Sequence, residues 1–354
     1  MDSKELLNIL SQVTPGTALR EGVDNILDAG SGALILVGFN EDIAKLVDGG
    51  FYINCDYTPQ KIYELAKMDG AIILDDNVDR ILYANVHLQP DKRYETQESG
   101  TRHRTAQRVA KQTGKLVIAI SERKKVITLY KGEQKYRLKD IREILSEVSQ
   151  ALKTLERYRY VLDSSLANLT ILELDDLVTI YEVASVLQRF EMIYRIKEEL
   201  KNYVIELGSE GRLINLQLQE LLFDLKEEKK NFIRDYYNYE ADKPLDMNTI
   251  NKELGALSDI ELLELENLSA ILGYGKSNSI LDDRIKPKGY RVLGKISKLN
   301  KRDVEKMISI YGDLATIQEA TAEELNEIKG ISKFKIRAMK NGLKRLKTTV
   351  ELEK

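Results

Sequence analysis

The hydrophobic pattern changes character once along this chain. Up to about residue 140 it comes in short bursts: ALILVG at 33–38, GAIIL at 70–74, ILYANV at 81–86, LVIAI at 116–120 and VITLY at 126–130. Each is of strand length, and several are apolar without alternation, which predicts strands buried on both faces of a central sheet. Between them, Thr58-Pro59 leads into KIYELAKM, a capping residue followed by a proline at the first helical position, and residues 101–112 give a second helix. The pattern predicts an N-terminal α/β layered domain with a mixed sheet over residues 1–140.

Beyond residue 140 the apolar positions recur near helical spacing. Ile141, Ile144, Leu145, Val148, Leu152, Leu155, Leu162, Leu166 and Leu169 predict one long amphipathic helix. Val183, Val186, Leu187, Phe190, Ile193, Leu200, Val204 and Leu207 repeat the pattern until Gly208 and Gly211 stop it. Residues 213–239 supply a third helix. A helical bundle or spine is therefore expected over 141–286, with no catalytic constellation in it. Turn-rich stretches at 242–245 (DKPL) and 282–287 (DDRIKP) punctuate it, and the second opens the last domain, 287–354.

Composition narrows the class. At 354 residues with 43% hydrophobic and 31% charged side chains, the chain has material for two or three solvated globular cores. The lone cysteine, Cys55, cannot form an internal disulfide and has no metal-ligand neighbours, which argues for a reducing, cytoplasmic setting. The charged opening MDSKELLNIL does not read as a secretory signal, and the longest uncharged span, the 12 residues 29–40, falls short of the ~20 that cross a bilayer, so no membrane partner is expected. Charge is unevenly spread: residues 287–349 hold 15 Lys and Arg against 7 Asp and Glu, a net of +8, so the rest of a chain at −3 carries −11. Such a segment is either a solvated basic face or the seat of a polyanionic partner.

Candidate chemistry sits where polar, glycine-bearing sequence abuts buried-type strands: Asp69-Gly70-Ala71, the run from Gly100 through Thr101, Arg102, His103 and Arg104 to Thr105, and Ser121-Glu122-Arg123. Loops at strand ends are where α/β sheets bind ligands. The second segment is the most informative, because a glycine and a threonine before a helix offer free N–H groups at its positive end, and arginines add forked phosphate donors. A polyphosphate suits it. Taken singly, the basic residues also fit an exposed turn, and Asp69 fits a turn cap. No loop of the G-x-x-x-x-G-K-[ST] type is present, which speaks against a hydrolase of that class.

Taken together, ELAKMDGAIIL, GTRHRTAQRVAKQTG and VIAISERKKVITLY closely resemble the diadenylate cyclase domain of the DNA integrity scanning (DisA) family, and the likeness runs on through the helical middle and the tail. The resemblance implies condensation of two ATP into cyclic di-AMP by two catalytic domains face to face, in a homo-oligomer expected to be an octamer. It implies that Asp69 activates the attacking 3′-hydroxyl, directly or by holding Mg²⁺ or Mn²⁺. Gly70, Ala71 and Leu88 would line the adenosine pocket, and Gly100, Thr101, Arg102, His103, Arg104 and Thr105 would cradle the triphosphate. Ser121 would add a hydroxyl contact, and Glu122 would assist with the metal. A non-enzymatic ATP-sensing scaffold that binds DNA is the competing reading.

In the tail, LNEIKGISK joins two helical patterns through a glycine turn and continues into KIRAMKNGLKRL, resembling a helix-hairpin-helix. In that module backbone N–H groups and a helix N-terminus grip DNA phosphates without reading sequence. Lys329, Gly330, Ser332, Lys333, Lys335 and Arg337 are the expected contacts, and branched DNA such as a Holliday junction is the expected partner. The sequence departs from the motif at Ser332, where a second glycine is usual, and at Ile336, where a small residue is usual. A degenerate first hairpin is expected near 294–300, where Lys295, Lys298, Lys301 and Arg302 cluster.

Overall fold

A computed structural model describes residues 9–239 and 244–352, with side chains through 348. The opening residues 1–8 and the first half of the 242–245 turn lie outside the described residues. Two compact units are present, one of Met1–Ser149 with Leu200–Leu216 and one of Gln150–Glu199 with Gln217–Lys354.

The first unit is built on an eight-stranded mixed sheet. Its elements are α1 (Ala18–Asp28), β1 (Ala33–Val37), α2 (Glu41–Ala44), β2 (Val47–Asp48), β3 (Phe51–Asp56), α3 (Pro59–Leu65), β4 (Ala71–Leu74), β5 (Arg80–Leu88), α4 (Thr101–Thr113), β6 (Leu116–Ser121), β7 (Val126–Lys131) and β8 (Gln134–Arg137). The strands follow the order β2-β5-β4-β1-β6-β7-β8, with β3 also on β5, and β1 with β4 is the parallel pair among otherwise antiparallel neighbours. Strand side chains alternate between two cores. Ile35, Ile72, Leu74, Ile118 and Ile120 face α1 and α3, whereas Leu34, Leu36, Ile73, Val117 and Ala119 face Ala106, Val109 and Ala110 of α4. Both faces are covered, which is why the five apolar bursts read as strands. The cap of α3 is as expected: the Thr58 side chain accepts from the Lys61 N–H at 3.1 Å, with Pro59 opening the helix. The sequence reading missed β2, β3 and β8, whose exposed or alternating edge positions carry no apolar run.

The remainder is helical: α5 (Ile141–Leu174), α6 (Ile180–Leu207), α7 (Arg212–Leu221), α8 (Leu225–Tyr236), α9 (Met247–Ala256), α10 (Asp259–Leu263), α11 (Leu265–Ile271), α12 (Tyr290–Gly294), α13 (Lys301–Tyr311), α14 (Leu314–Glu319), α15 (Ala322–Asn326) and α16 (Lys333–Leu352). Gly208 ends α6 in the left-handed region at φ +51°, as its position after the last periodic leucine predicts. The single helix expected over 213–239 is instead two, α7 and α8. Asp224 takes φ +58° between them, a conformation that aspartate tolerates and that no continuing helix allows.

In the second unit, charges are buried as a closed set. Arg291 on α12 is paired with Glu173 of α5 and donates to the Thr170 hydroxyl at 3.0 Å and the Leu166 carbonyl at 3.2 Å. The Tyr236 hydroxyl donates to Glu173 at 2.5 Å. Asp235 accepts the backbone N–H groups of Gly289, Tyr290 and Arg291 at 2.7, 2.6 and 2.8 Å, closing the start of α12. The helices from α12 to α16 share one apolar cluster, with Val292, Leu293, Met307, Leu314, Ile317, Leu325 and Met339 at its centre.

Candidate active site

At one end of its central strands the sheet opens into a cavity of about 600 Å³, within the ~300–1,000 Å³ typical of small-ligand sites. Its wall is made by the amino ends of the parallel strands β1 and β4, the carboxyl ends of β5 and β6, and the start of α4. Eleven of the expected residues line it: Asp69, Gly70, Ala71, Leu88, Gly100, Thr101, Arg102, His103, Thr105, Ser121 and Glu122. Arg104 does not; it is exposed on α4 and lies outside the lining. The reason is helical phase: along α4, Thr101, Arg102 and Thr105 turn to the cavity, and Arg104 falls on the solvent side.

Asp69 is held by its backbone. Asn85 sits at φ +55° where the register of β5 against β4 slips, and its side-chain amide donates to the Asp69 carbonyl at 3.0 Å. The carboxylate is left free, with its side chain 96% exposed and one oxygen 4.0 Å from Nη2 of Arg102. Gly70, at φ +92°, is required by the protein itself, because a Cβ there would stand 2.8 Å from the Asn85 carbonyl carbon and 2.9 Å from the Val86 nitrogen. Gly32 serves Arg102 in the same way: a Cβ at Gly32 would come within about 2.2 Å of Nη1, so the missing side chain is the space the guanidinium fills.

The start of α4 faces the cavity without a side-chain cap. Gly100 is extended at φ −82° and ψ 140° and brings no side-chain cap, so among the described residues no capping bond occupies the first N–H groups of this 13-residue helix. The free donors and the helix dipole make the wall attractive to an anion, reinforced by Arg102 and by Arg123 beyond β6. Ser121 closes the turn after β6, its hydroxyl accepting from the Lys124 N–H at 3.2 Å.

His103 is tied behind this wall. Its Nδ1 lies 3.0 Å from the hydroxyl of Tyr130, which donates to Glu98 at 3.0 Å, and Glu98 is paired with Lys135. Burial pushes the His103 imidazole below its usual range against the opposing pull of Glu98. The segment between β5 and α4, which carries Glu98, is irregular but tethered. Asp91 N–H donates to Gln112 at 2.9 Å, Arg108 donates to the Tyr94 carbonyl at 3.0 Å, and Thr96 donates to Gln107 at 2.5 Å.

Sequence reasoning missed Leu34, Val86, His87, Ile120 and Arg123 as lining residues. Arg123 stood inside a segment already singled out, and His87, one of only two histidines, ends a strand before a polar loop. Leu34, Val86 and Ile120 carry no such signal, since an apolar strand residue that lines a cavity looks like one that fills a core.

In the tail, Gly330 turns at φ +91° between α15 and α16, and Lys329, Ser332, Lys333 and Arg337 are exposed around it. Lys335 is turned inward, paired with Asp303 at 2.5 Å, and Ile336 is a core residue at 2% exposure. A second basic concavity is lined by Lys295, Lys298, Phe334, Arg337, Asn341 and Arg345 among others. No described helix is long and apolar enough to cross a membrane.

Residues 20–135 match the family described as DisA bacterial checkpoint controller nucleotide-binding, and residues 138–281 match the DisA bacterial checkpoint controller linker region. Proteins named DNA integrity scanning protein DisA are similar over the whole length. That of Fusobacterium nucleatum is 57% identical across 100% of both chains, and that of Clostridium perfringens strain SM101 is 49% identical over 99% of this chain and 98% of its own. That of Clostridioides difficile is 45% identical over 100% of this chain and 98% of its own. The chain belongs to the DNA integrity scanning protein DisA family, and its N-terminal part is the family's nucleotide-binding, diadenylate cyclase domain.

Proposed function

We propose that residues 1–140 condense two ATP molecules into cyclic di-AMP and two pyrophosphates, one nucleotide held by each of two subunits related by a two-fold axis. The observation that carries this reading is the convergence of Asp69, Arg102 and the uncapped start of α4 on one cavity. An acid beside an anion-binding wall suits attack by a 3′-hydroxyl on an α-phosphorus, in which one P–O bond forms and the bond to pyrophosphate breaks. A single cavity supplies one nucleotide, so the second 3′-hydroxyl comes from the facing subunit. Asp69 takes up or relays the hydroxyl proton, Arg102 and the α4 N–H groups hold the triphosphate, and Leu88, Gly70 and Ala71 border the adenosine. Ser121 adds a hydroxyl contact.

A divalent cation, Mg²⁺ or Mn²⁺, is compatible with the donors. Among the described residues no three His, Cys, Asp or Glu side chains converge. The residues that would hold it are Asp69, through its carboxylate, and Glu122 on the same lining, the remaining ligands being left to the nucleotide and water. When bound, such an ion neutralises charge on the departing pyrophosphate.

Residues 141–286 act as a spine, and residues 287–354 form a helix-hairpin-helix module that binds DNA, branched DNA such as a Holliday junction being its preferred form. The exposed Lys329, Lys333 and Arg337 beside Gly330 and Ser332 support this. Lys335, engaged by Asp303, makes a smaller contribution than its position in the motif suggests. The spine gathers the chains into an octamer, and DNA at the tails modulates cyclisation. Mass spectrometry of products formed from ATP and Mn²⁺ tests the chemistry: a cyclic dinucleotide with pyrophosphate is expected, and ADP with phosphate refutes it. An unchanged cyclisation rate at saturating branched DNA refutes the coupling.

A further inference from the structure

The hydrogen-bond directions behind His103 are set by one group. A carboxylate only accepts, so the Tyr130 hydroxyl donates to Glu98, and the phenol oxygen, which the Thr128 hydroxyl also meets, is left to accept from Nδ1–H of His103. The imidazole is thereby held in its Nδ1–H form. Nε2 is buried and, among the described residues, meets no protein partner, on a ring that lines the cavity beside Thr101 and Arg102. A buried polar atom without a partner costs free energy, and here the cavity is the place from which a partner comes.

We propose that Glu98 and Tyr130 are positioning residues that fix the His103 tautomer and reserve Nε2 for the nucleotide, and that one proton enters at Nε2 as the triphosphate binds. The proton is a matter of donor and acceptor balance. Phosphate oxygens only accept, and Nδ1 is already committed as a donor to Tyr130, so the contact forms with the doubly protonated ring. The proton comes from solvent and returns to it when the phosphates leave. Charges facing the ring come from every neighbouring element: Arg102 on its own helix, Lys124 in the turn after β6, Lys135 on β8, and Glu98 on the tethered segment. Burial favours the neutral form of the empty ring against the pull of Glu98, with Lys135, Lys124 and Arg102 acting in the same direction as burial, and an arriving triphosphate reverses that balance. The inference rests on reading the cavity as the ATP site.

Two measurements on the full chain test it separately from that reading. The chain has two histidines, His87 and His103, so a solid-state ¹⁵N spectrum of histidine-labelled protein resolves both, with His87→Gln assigning them. Without nucleotide, His103 is expected as the Nδ1–H tautomer, and Tyr130→Phe and Glu98→Gln are expected to lose that preference. Then 3′-deoxyadenosine triphosphate, which lacks the attacking hydroxyl, is titrated calorimetrically at pH 8 in two buffers of different ionisation enthalpy. Wild type is expected to take up about one proton per site, a residue of this type being neutral at that pH when unperturbed. His103→Gln is expected to take up none, and Tyr130→Phe to lower kcat/KM about tenfold, the worth of one hydrogen bond. An Nε2–H tautomer in the empty protein overturns the relay, and binding without proton uptake overturns the protonation, each leaving the ATP site standing. Failure of the nucleotide to bind a folded protein with the expected tautomer overturns the site assignment and this inference with it.

Discussion

The chain handles charge in two opposite ways. Around Arg291 every charged group is enclosed and matched: the guanidinium meets Glu173, Thr170 and a carbonyl, and Asp235 meets three backbone donors. Around the cavity the charges are left unmatched, with Asp69 facing solvent, Arg102 at a loose 4.0 Å, and α4 opening without a cap. Matched burial stabilises a shape, because any lost partner strands a charge in a medium that cannot solvate it. Unmatched groups add little stability but keep their donors and acceptors for a ligand. The difference identifies which ionisable residues serve folding and which serve chemistry more directly than residue type does.

The contrast is broken most severely at its two extremes. Asp69→Asn is expected to reduce cyclic dinucleotide formation by roughly a thousandfold, measured by product chromatography, with an unchanged melting temperature because the carboxyl is 96% exposed. Arg291→Met is expected to do the reverse. It leaves Glu173 buried without its cation and lowers stability by about 3 kcal/mol in urea unfolding. Should Arg291→Met leave stability untouched, or Asp69→Asn unfold the protein, the division between the two regions is wrong.

Smaller effects sharpen it. Gly32→Ala fills the space of the Arg102 guanidinium, which swings away, so kcat/KM for ATP is expected to fall about tenfold while the far-ultraviolet circular dichroism is unaltered. A change in fold rather than in kinetics would make Gly32 a structural glycine only. Least of all, Lys333→Ala is expected to weaken DNA binding evenly across sequences and to lower the slope of log K against log salt by about 1, as loss of one phosphate contact does. Lys335→Ala, whose ammonium is spoken for by Asp303, is expected to change that slope less and to cost some stability instead.

The parts of this molecule legible in the sequence are those where one physical demand dominates. Strands covered on both faces must be apolar nearly throughout, as β1, β4 and β6 are, and these three runs form strands as expected, together with the less uniform runs of β5 and β7. The edge strands β3 and β8 are half solvated, so their residues answer to several demands and carry no single pattern. The break at Asp224 was hidden because the apolar spacing on either side is close to continuous, and a left-handed residue leaves no trace in periodicity. At the site, charged and glycine-bearing segments are visible as exceptions to the core pattern. Their rotation about α4 is not, which is why the sequence pattern puts Arg104 in the cradle although it faces solvent. Gly70 was legible as a glycine, but its need comes from the backbone of β5, a neighbour that only folding brings close.

The anchored segment between β5 and α4 has a kinetic consequence. Four polar ties hold it, through Asp91, Tyr94, Thr96 and Glu98, so the wall it supports stands before any ligand comes. A nucleotide then meets no loop that must first be ordered, and its capture is a single bimolecular event whose observed rate rises linearly with concentration.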